Sequence, residues 1–172
     1  MTGPNGAAHI GGLPRRFTKM TGAGNDFLVF DESVPVGPRE AETIRRVCRR
    51  GTGVGADGIL FVVPDADGTR IQLDYYNADG GPARFCANGT RCAARFARLR
   101  GLAGRELVGR DLVVVTGWGE IPATVREDGA VTLSLPSPVS CGPTVESFDR
   151  DEDLLEKSAV CLSVGVPHLV VF

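Results

Sequence analysis

Residues 85–101 read Phe-Cys-Ala-Asn-Gly-Thr-Arg-Cys-Ala-Ala-Arg-Phe-Ala-Arg-Leu-Arg-Gly. Cys92, Ala93, Phe96, Ala97 and Leu99 recur at helical spacing, which predicts a helix over about 88–99. Gly101 stands just past its end, where a left-handed residue closes a helix. The small residues of this helix suit close packing inside a sheet. The flanking sequence supplies strands for such a sheet. Residues 71–76 alternate and run into Asn77-Ala78-Asp79-Gly80-Gly81, a turn. Downstream, 112–116, 120–125, 131–135, 159–164 and 168–172 read as strands, with Glu127-Asp128-Gly129 as a tight turn. The acidic run 148–156 reads as loop.

Upstream, strands at 16–20 and 26–30 flank the turn Thr21-Gly22-Ala23-Gly24-Asn25. Pro38 opens a helix that runs to about Arg50, with Gly51 as its cap. Its apolar stripe is Ala41, Ile44, Val47 and Cys48, so Cys48 reads as a small core residue. The loop Gly51-Thr52-Gly53-Val54-Gly55-Ala56-Asp57-Gly58 then leads into a strand at 59–63. It lacks the Gly-Lys-Ser/Thr ending of a phosphate loop. It also runs from helix to strand, the reverse of a dinucleotide fingerprint. Backbone that must pass close to a substrate or to the Cys86 segment explains its glycines better.

The composition suits one globular domain. Of 172 residues, 42% are hydrophobic and 23% charged, enough to build a core. A net charge of −2 gives no general attraction to nucleic acid or to an anionic membrane. The arginine runs at Arg45, Arg46, Arg49 and Arg50, and at Arg91, Arg95, Arg98 and Arg100, read as solvated helix faces. No apolar run reaches the length of a membrane span, and residues 1–14 lack the apolar stretch of a secretory signal. These features predict a cytoplasmic protein with all five cysteines as thiols. Cys86 and Cys92 are six apart and only two histidines are present, so no zinc-site spacing occurs. The composition shifts sharply nowhere, and no internal boundary is expected.

A single cysteine is most often a small buried residue. Cys86 differs because it lies just before the predicted helix, with Asn88 as the expected N-cap. Free N–H groups and the dipole at a helix start favour a thiolate, the reactive form. The N–H groups of Ala87, Asn88 and Gly89 could also receive a carboxylate. One short segment thus offers a base beside an anion site. Cys92 falls on the apolar face and reads as core.

Four motifs in order carry a family resemblance. They are Phe17-Thr18-Lys19-Met20 through Gly24-Asn25-Asp26-Phe27; Gly53-Val54-Gly55-Ala56-Asp57-Gly58; Asn77-Ala78-Asp79-Gly80 with Phe85-Cys86-Ala87-Asn88-Gly89-Thr90-Arg91-Cys92; and Gly165-Val166-Pro167-His168. Together they resemble the diaminopimelate epimerase family from about Arg16 onward. The resemblance implies an α+β fold, with mixed β-structure wrapped around a central helix in each of two similar halves. It implies an isomerase that interconverts LL- and meso-diaminopimelate, for lysine and cell-wall precursors, without pyridoxal phosphate or metal. Two cysteines flank the α-carbon, one as thiolate base and one as thiol acid. By position, Cys86 is the first of them, and His168 sits close to the pair and tunes their ionisation. Asn25 and Asn77 bind polar groups of the substrate, and the backbone N–H groups of Ala87 and Asn88 hold its α-carboxylate. Residues 1–15 then form a flexible extension. Residues 16–172 form an N-terminal epimerase domain with the start of a crossover to a second domain. The expected partners are a small amino-acid substrate and a second half-domain or a second copy, with no nucleic acid or membrane.

Three positions depart from the family pattern. Ala87 stands where glycine is usual, Gly58 where many members carry a substrate-contacting glutamine, and Val166 where Gly-Asn-Pro-His has asparagine. They leave two alternatives: a racemase or epimerase of another amino acid, or a non-catalytic half-domain that needs a partner.

Overall fold

In the computed structural model, residues 9–10, 13–14, 16–33, 39–103, 112–142 and 159–171 are described. A short hairpin, β1 (His9–Ile10) and β2 (Leu13–Pro14), comes first. Then follow β3 (Thr18–Gly22), β4 (Asn25–Asp31), α1 (Ala41–Cys48), β5 (Gly58–Pro64), β6 (Arg70–Asn77), β7 (Pro82–Ala83) and α2 (Ala87–Arg100). The remaining strands are β8 (Leu112–Val115), β9 (Glu120–Val125), β10 (Val131–Leu133), β11 (Val139–Ser140), β12 (Ala159–Val164) and β13 (Val166–Val171).

The main sheet has the order β10-β9-β8-β6-β5-β4-β3, with β7 added beside β6. Two neighbouring pairs are parallel, β4 with β5 and β6 with β8. A parallel pair needs a crossover, and α1 and α2 supply the two. The second pair runs antiparallel to the first while advancing the same way across the sheet. Right-handed crossovers then send α1 and α2 to opposite faces. The cores agree with this. Phe27, Val29, Leu60, Val62, Ile71 and Leu73 pack with Cys92, Ala93, Phe96 and Ala97 of α2. Leu28, Phe30, Ile59 and Phe61 pack with Ile44 and Cys48 of α1. Side chains alternate along a strand, so β4 and β5 must be apolar on both faces, and they are.

Helix α2 touches β3, β4, β5, β6, β8, β9 and β10, so the mixed sheet wraps around it. This is the α+β half expected from the sequence. Gly89, Ala93, Ala94 and Ala97 are buried on it, and their short side chains let the strands close in. Leu99, expected on the apolar face, is exposed. It sits in the last turn, at the margin of the arc centred on Ala93 and Ala97. Helix α1 is shorter than the sequence predicts, with Glu40 and Arg49 as its caps; Pro38 lies outside the described residues. The β3–β4 turn is tighter than expected. Gly22 pairs with Asn25, and Ala23 and Gly24 both take positive φ (47° and 94°), the two-residue turn that matches strand twist.

Within the stretch 1–15, β1 pairs with β2 and Leu13 is buried with Leu28, Phe30 and Ile44. The acidic run 148–156 lies outside the described residues. No helix of the described residues is long and apolar enough to cross a membrane.

The chain divides into two compact units at Ser134/Leu135, a boundary that no composition shift announces. The second unit holds the antiparallel sheet β11-β12-β13. Here the expectation of five thiols is corrected: Cys141 and Cys161 form a disulfide. The register explains it. Val139 faces Ser163 and Ser140 faces Leu162, so Cys141 comes opposite Cys161, and its N–H donates to the Cys161 carbonyl (3.0 Å). A spacing of twenty residues shows none of this; strand pairing alone brings the two sulfurs together.

Candidate active site

Three strand ends and one helix start meet at a single edge of the main sheet. Phe27 of β4 lies beside Gly58 of β5, and Gly58 beside Asn77 of β6. Asn25 is therefore at this edge, at the start of β4. The chain leaves β6 at Asn77, and α2 must begin at the same edge to return in parallel as β8. That topology brings Asn25, Asn77, Cys86, Ala87 and Asn88 together.

Cys86, not Asn88, is the N-cap of α2. Its backbone is extended (φ −149°, ψ 113°), and its Sγ accepts from the Gly89 N–H at 3.5 Å. The Thr90 N–H and hydroxyl both donate to the Cys86 carbonyl, at 2.8 and 2.9 Å. Ala87 and Asn88 are thus the first two residues of the helix, whose N–H groups have no intrahelical acceptor. The Asn88 side chain is occupied elsewhere. Its Nδ2 donates to Asn25 Oδ1 (2.9 Å), and its Oδ1 accepts from Arg91 (3.2 Å). Asn25 in turn donates from Nδ2 to Asp57 Oδ2 (3.1 Å). A polar chain therefore runs from Asp57 through Asn25 and Asn88 to Arg91.

The ends of this chain are charged. Asp57 also accepts from the Asp26 N–H (3.1 Å) and from Arg50 (2.8 Å). The Asn25 amide, then the Asp26 N–H, hold its carboxyl below the usual carboxylate range. Arg50 does the same to Asp26, with Lys19 adding to it. An aspartate that stays ionised fixes the Asn25 amide with its nitrogen inward to Asp57 and its oxygen toward Asn88. Asp57 and Arg91 stand within the quoted motifs and Arg50 in an arginine run, but only the folded contacts show that they bound this chain.

A small recess opens beside Cys86, lined by Leu60, Leu73, Tyr75, Phe85 and Thr116 among others. Tyr75 is the residue the sequence reading missed, although its place two before Asn77 on a strand puts both on the α2 face. Its hydroxyl donates to Asn77 Oδ1 at 2.6 Å. Burial, then the charge of Cys86, push its phenol up to about 12. The ring lies edge-on to Phe27 with centroids 5.9 Å apart. It also explains Gly58, since a Cβ there would lie 2.6 Å from Tyr75 Cε2 and 2.6 Å from the Tyr76 carbonyl oxygen.

His168 belongs to the second unit, on β13 opposite Leu162. Alternation puts it on the face away from the Cys141–Cys161 disulfide. It is exposed.

A sequence model of the family described as diaminopimelate epimerase matches residues 17–139. The chain belongs to the diaminopimelate epimerase family. The chloroplastic diaminopimelate epimerase of Oryza sativa subsp. japonica is 34% identical over 193 residues, which cover 98% of this chain and 52% of the relative. The diaminopimelate epimerase of Aquifex aeolicus is 34% identical over 165 residues, 90% of this chain and 56% of the relative. The chain spans about half the length of the curated relatives it matches. Among solved structures, a hydroxyproline epimerase from Agrobacterium vitis shares the fold at a TM-score of 0.63 and 13% identity, over 89% of this chain and 50% of its own.

The three free cysteines of this family member differ in access. Cys48 and Cys92 are buried, while Cys86 is partly exposed. Burial pushes both the Cys48 and the Cys92 thiol up to about 11, so neither is a ready nucleophile at neutral pH. Iodoacetamide mapped by mass spectrometry should therefore label Cys86 first. Cys48 and Cys92 should follow only on denaturation, and Cys141 and Cys161 only after reduction. Equal labelling of Cys86 and Cys92 in the folded protein would show that the helix start confers no reactivity.

Proposed function

We propose that the full-length protein is a diaminopimelate epimerase that inverts an α-carbon by two-cysteine proton transfer. The observation that carries this is Cys86 at the N-cap of α2, beside the first free N–H groups of the helix and the Asn25–Asn88 pair. The Cys86 thiolate takes the proton from one face of the α-carbon, and the electron pair passes into the substrate's carboxylate. A thiol on the opposite face, supplied by a second cysteine that the partner domain brings to the site, returns a proton and is left as thiolate. The reverse reaction exchanges the roles. The N–H groups of Ala87 and Asn88 receive the α-carboxylate, where they oppose the charge that builds as the proton leaves. Asn25 and Asn77 bind the substrate's other polar groups. His168 acts near the cysteine pair by tuning their ionisation. The transfer as written needs no pyridoxal phosphate and no metal.

The match to about half the length of the relatives supports a second domain as the partner that completes the site, with a second copy of the chain as the alternative. The test of the reaction is deuterium uptake from D₂O at the α-carbon of diaminopimelate, with the full-length protein. Uptake is expected at neutral pH. Its absence at every pH, with folded protein, rejects the reading. Gly58 favours a second reading, a racemase or epimerase of another amino acid. A panel of amino acids in the same assay separates the two.

A further inference from the structure

We infer that Tyr75 is a positioning residue, which holds the Asn77 carboxamide so that its nitrogen, not its oxygen, is left to meet a substrate carboxylate. The inference rests on the epimerase reading above and deepens it. Tyr75 and Asn77 lie on the same face of β6 as Ile71 and Leu73, which pack toward α2. The ring has little freedom. Phe27 meets it edge-on, and Gly58 lies so close that even a methyl there would collide with it. The hydroxyl therefore stays where it can donate to Asn77 Oδ1, at 2.6 Å. The turn holds Asn77 from the other side. Its N–H donates to the Gly81 carbonyl and its own carbonyl accepts from the Gly80 N–H, both at 2.9 Å.

A phenol pushed up to about 12 stays protonated, and so stays a donor, at neutral pH. With Oδ1 engaged by that donor, the carboxamide offers Nδ2 and its two hydrogens. A carboxamide held with its oxygen toward Tyr75 and its nitrogen outward favours an acceptor. Diaminopimelate has a carboxylate at each end, whereas an ammonium in the same place would set donors against donors. Position 75 therefore contributes to substrate choice without touching the substrate itself, and it does so beside the glycine where the family's glutamine is absent.

The test compares wild type and four variants of the full-length protein by steady-state exchange. Tyr75→Phe keeps the ring and removes only the hydroxyl. We expect KM for diaminopimelate to rise about fivefold, the size of one hydrogen bond, with kcat within about twofold. Asn77→Ala raises KM as well, and adding Tyr75→Phe to it changes KM no further, because the hydroxyl works through Asn77. Asn77→Asp replaces the donor with an acceptor and should raise KM more than Asn77→Ala does. A Tyr75→Phe protein with wild-type KM, equal losses in both backgrounds, or an Asp variant better than the Ala variant overturns the inference while the epimerase reading stands. The side-chain amide signals of Asn77 in ¹⁵N NMR supply a readout that needs no activity. They should move in Tyr75→Phe while backbone signals away from β6 stay put. If the wild type exchanges no proton, the reading fails, and unchanged Asn77 signals would reject the positioning role on their own.

Discussion

In the full-length protein, on the reaction proposed above, Cys86→Ser is expected to lower α-proton exchange by about a thousandfold, the scale expected when a general base is lost, and to leave the protein as stable as before. The two halves of this expectation come from two separate jobs of one side chain. As N-cap, Cys86 accepts from the Gly89 N–H. Serine is a better cap than cysteine, so the helix start and the N–H groups of Ala87 and Asn88 stay in place. As the proposed base, the thiolate has no replacement, because a serine hydroxyl does not ionise near neutral pH. The loss then falls on kcat, with substrate affinity preserved. Cys92→Ser is the control. Cys92 is 4% exposed in the α2 core, so a hydroxyl there is buried and costs about 1–3 kcal/mol of stability, with the exchange chemistry retained. Cys86→Ser within about fivefold of wild type would remove Cys86 from the mechanism, since a missing base cannot be that mild.

The second large effect is structural and sits at the departure from the family pattern. Gly58→Ala should destabilise the main sheet by about 3 kcal/mol, at the upper end for overpacking, read as the urea midpoint. Its methyl would lie 2.6 Å from the Tyr75 ring and 2.6 Å from the Tyr76 carbonyl oxygen. The ring could yield, but the carbonyl belongs to β6, which is paired in register with β5 on either side of this point. Replacing Tyr75 with leucine should therefore recover only part of the loss. Gly58→Gln should be no better than the alanine, so placing a glutamine at this position does not restore the contact that many family members make. The space it needs belongs to Tyr75. A Gly58→Ala protein within about 0.5 kcal/mol of wild type, the range of an ordinary surface change, would mean that the strands part easily here.

These expectations depend on features of unequal visibility in the sequence. The central helix was legible because its apolar positions repeat with helical spacing and Gly101 ends it, as the left-handed cap observed (φ 66°). Most strands were legible as short apolar or alternating runs between turn residues, within a residue or two. Cys86 was legible by its place before that helix and by the motif around it. The cap was not, because asparagine is the usual capping residue and Asn88 was two positions away. Its amide was drawn off by Asn25, sixty-three residues earlier in the chain. No local rule could show that competition.

Periodicity and turn residues marked the helices and strands, and the resemblance carried by four ordered motifs implied an α+β domain wrapped on one helix, with Cys86, Asn25, Asn77 and Asn88 as candidate site residues. These are local signals, written in neighbouring side chains. What the tertiary structure decided are the relations across strands. Register sets Gly58 against Tyr75 and Tyr76, links Asp57 to Asn25 and pairs Cys141 with Cys161. The reason is that a strand's partners are chosen by packing over the whole sheet, and a slip of one residue would send each of these side chains to the other face.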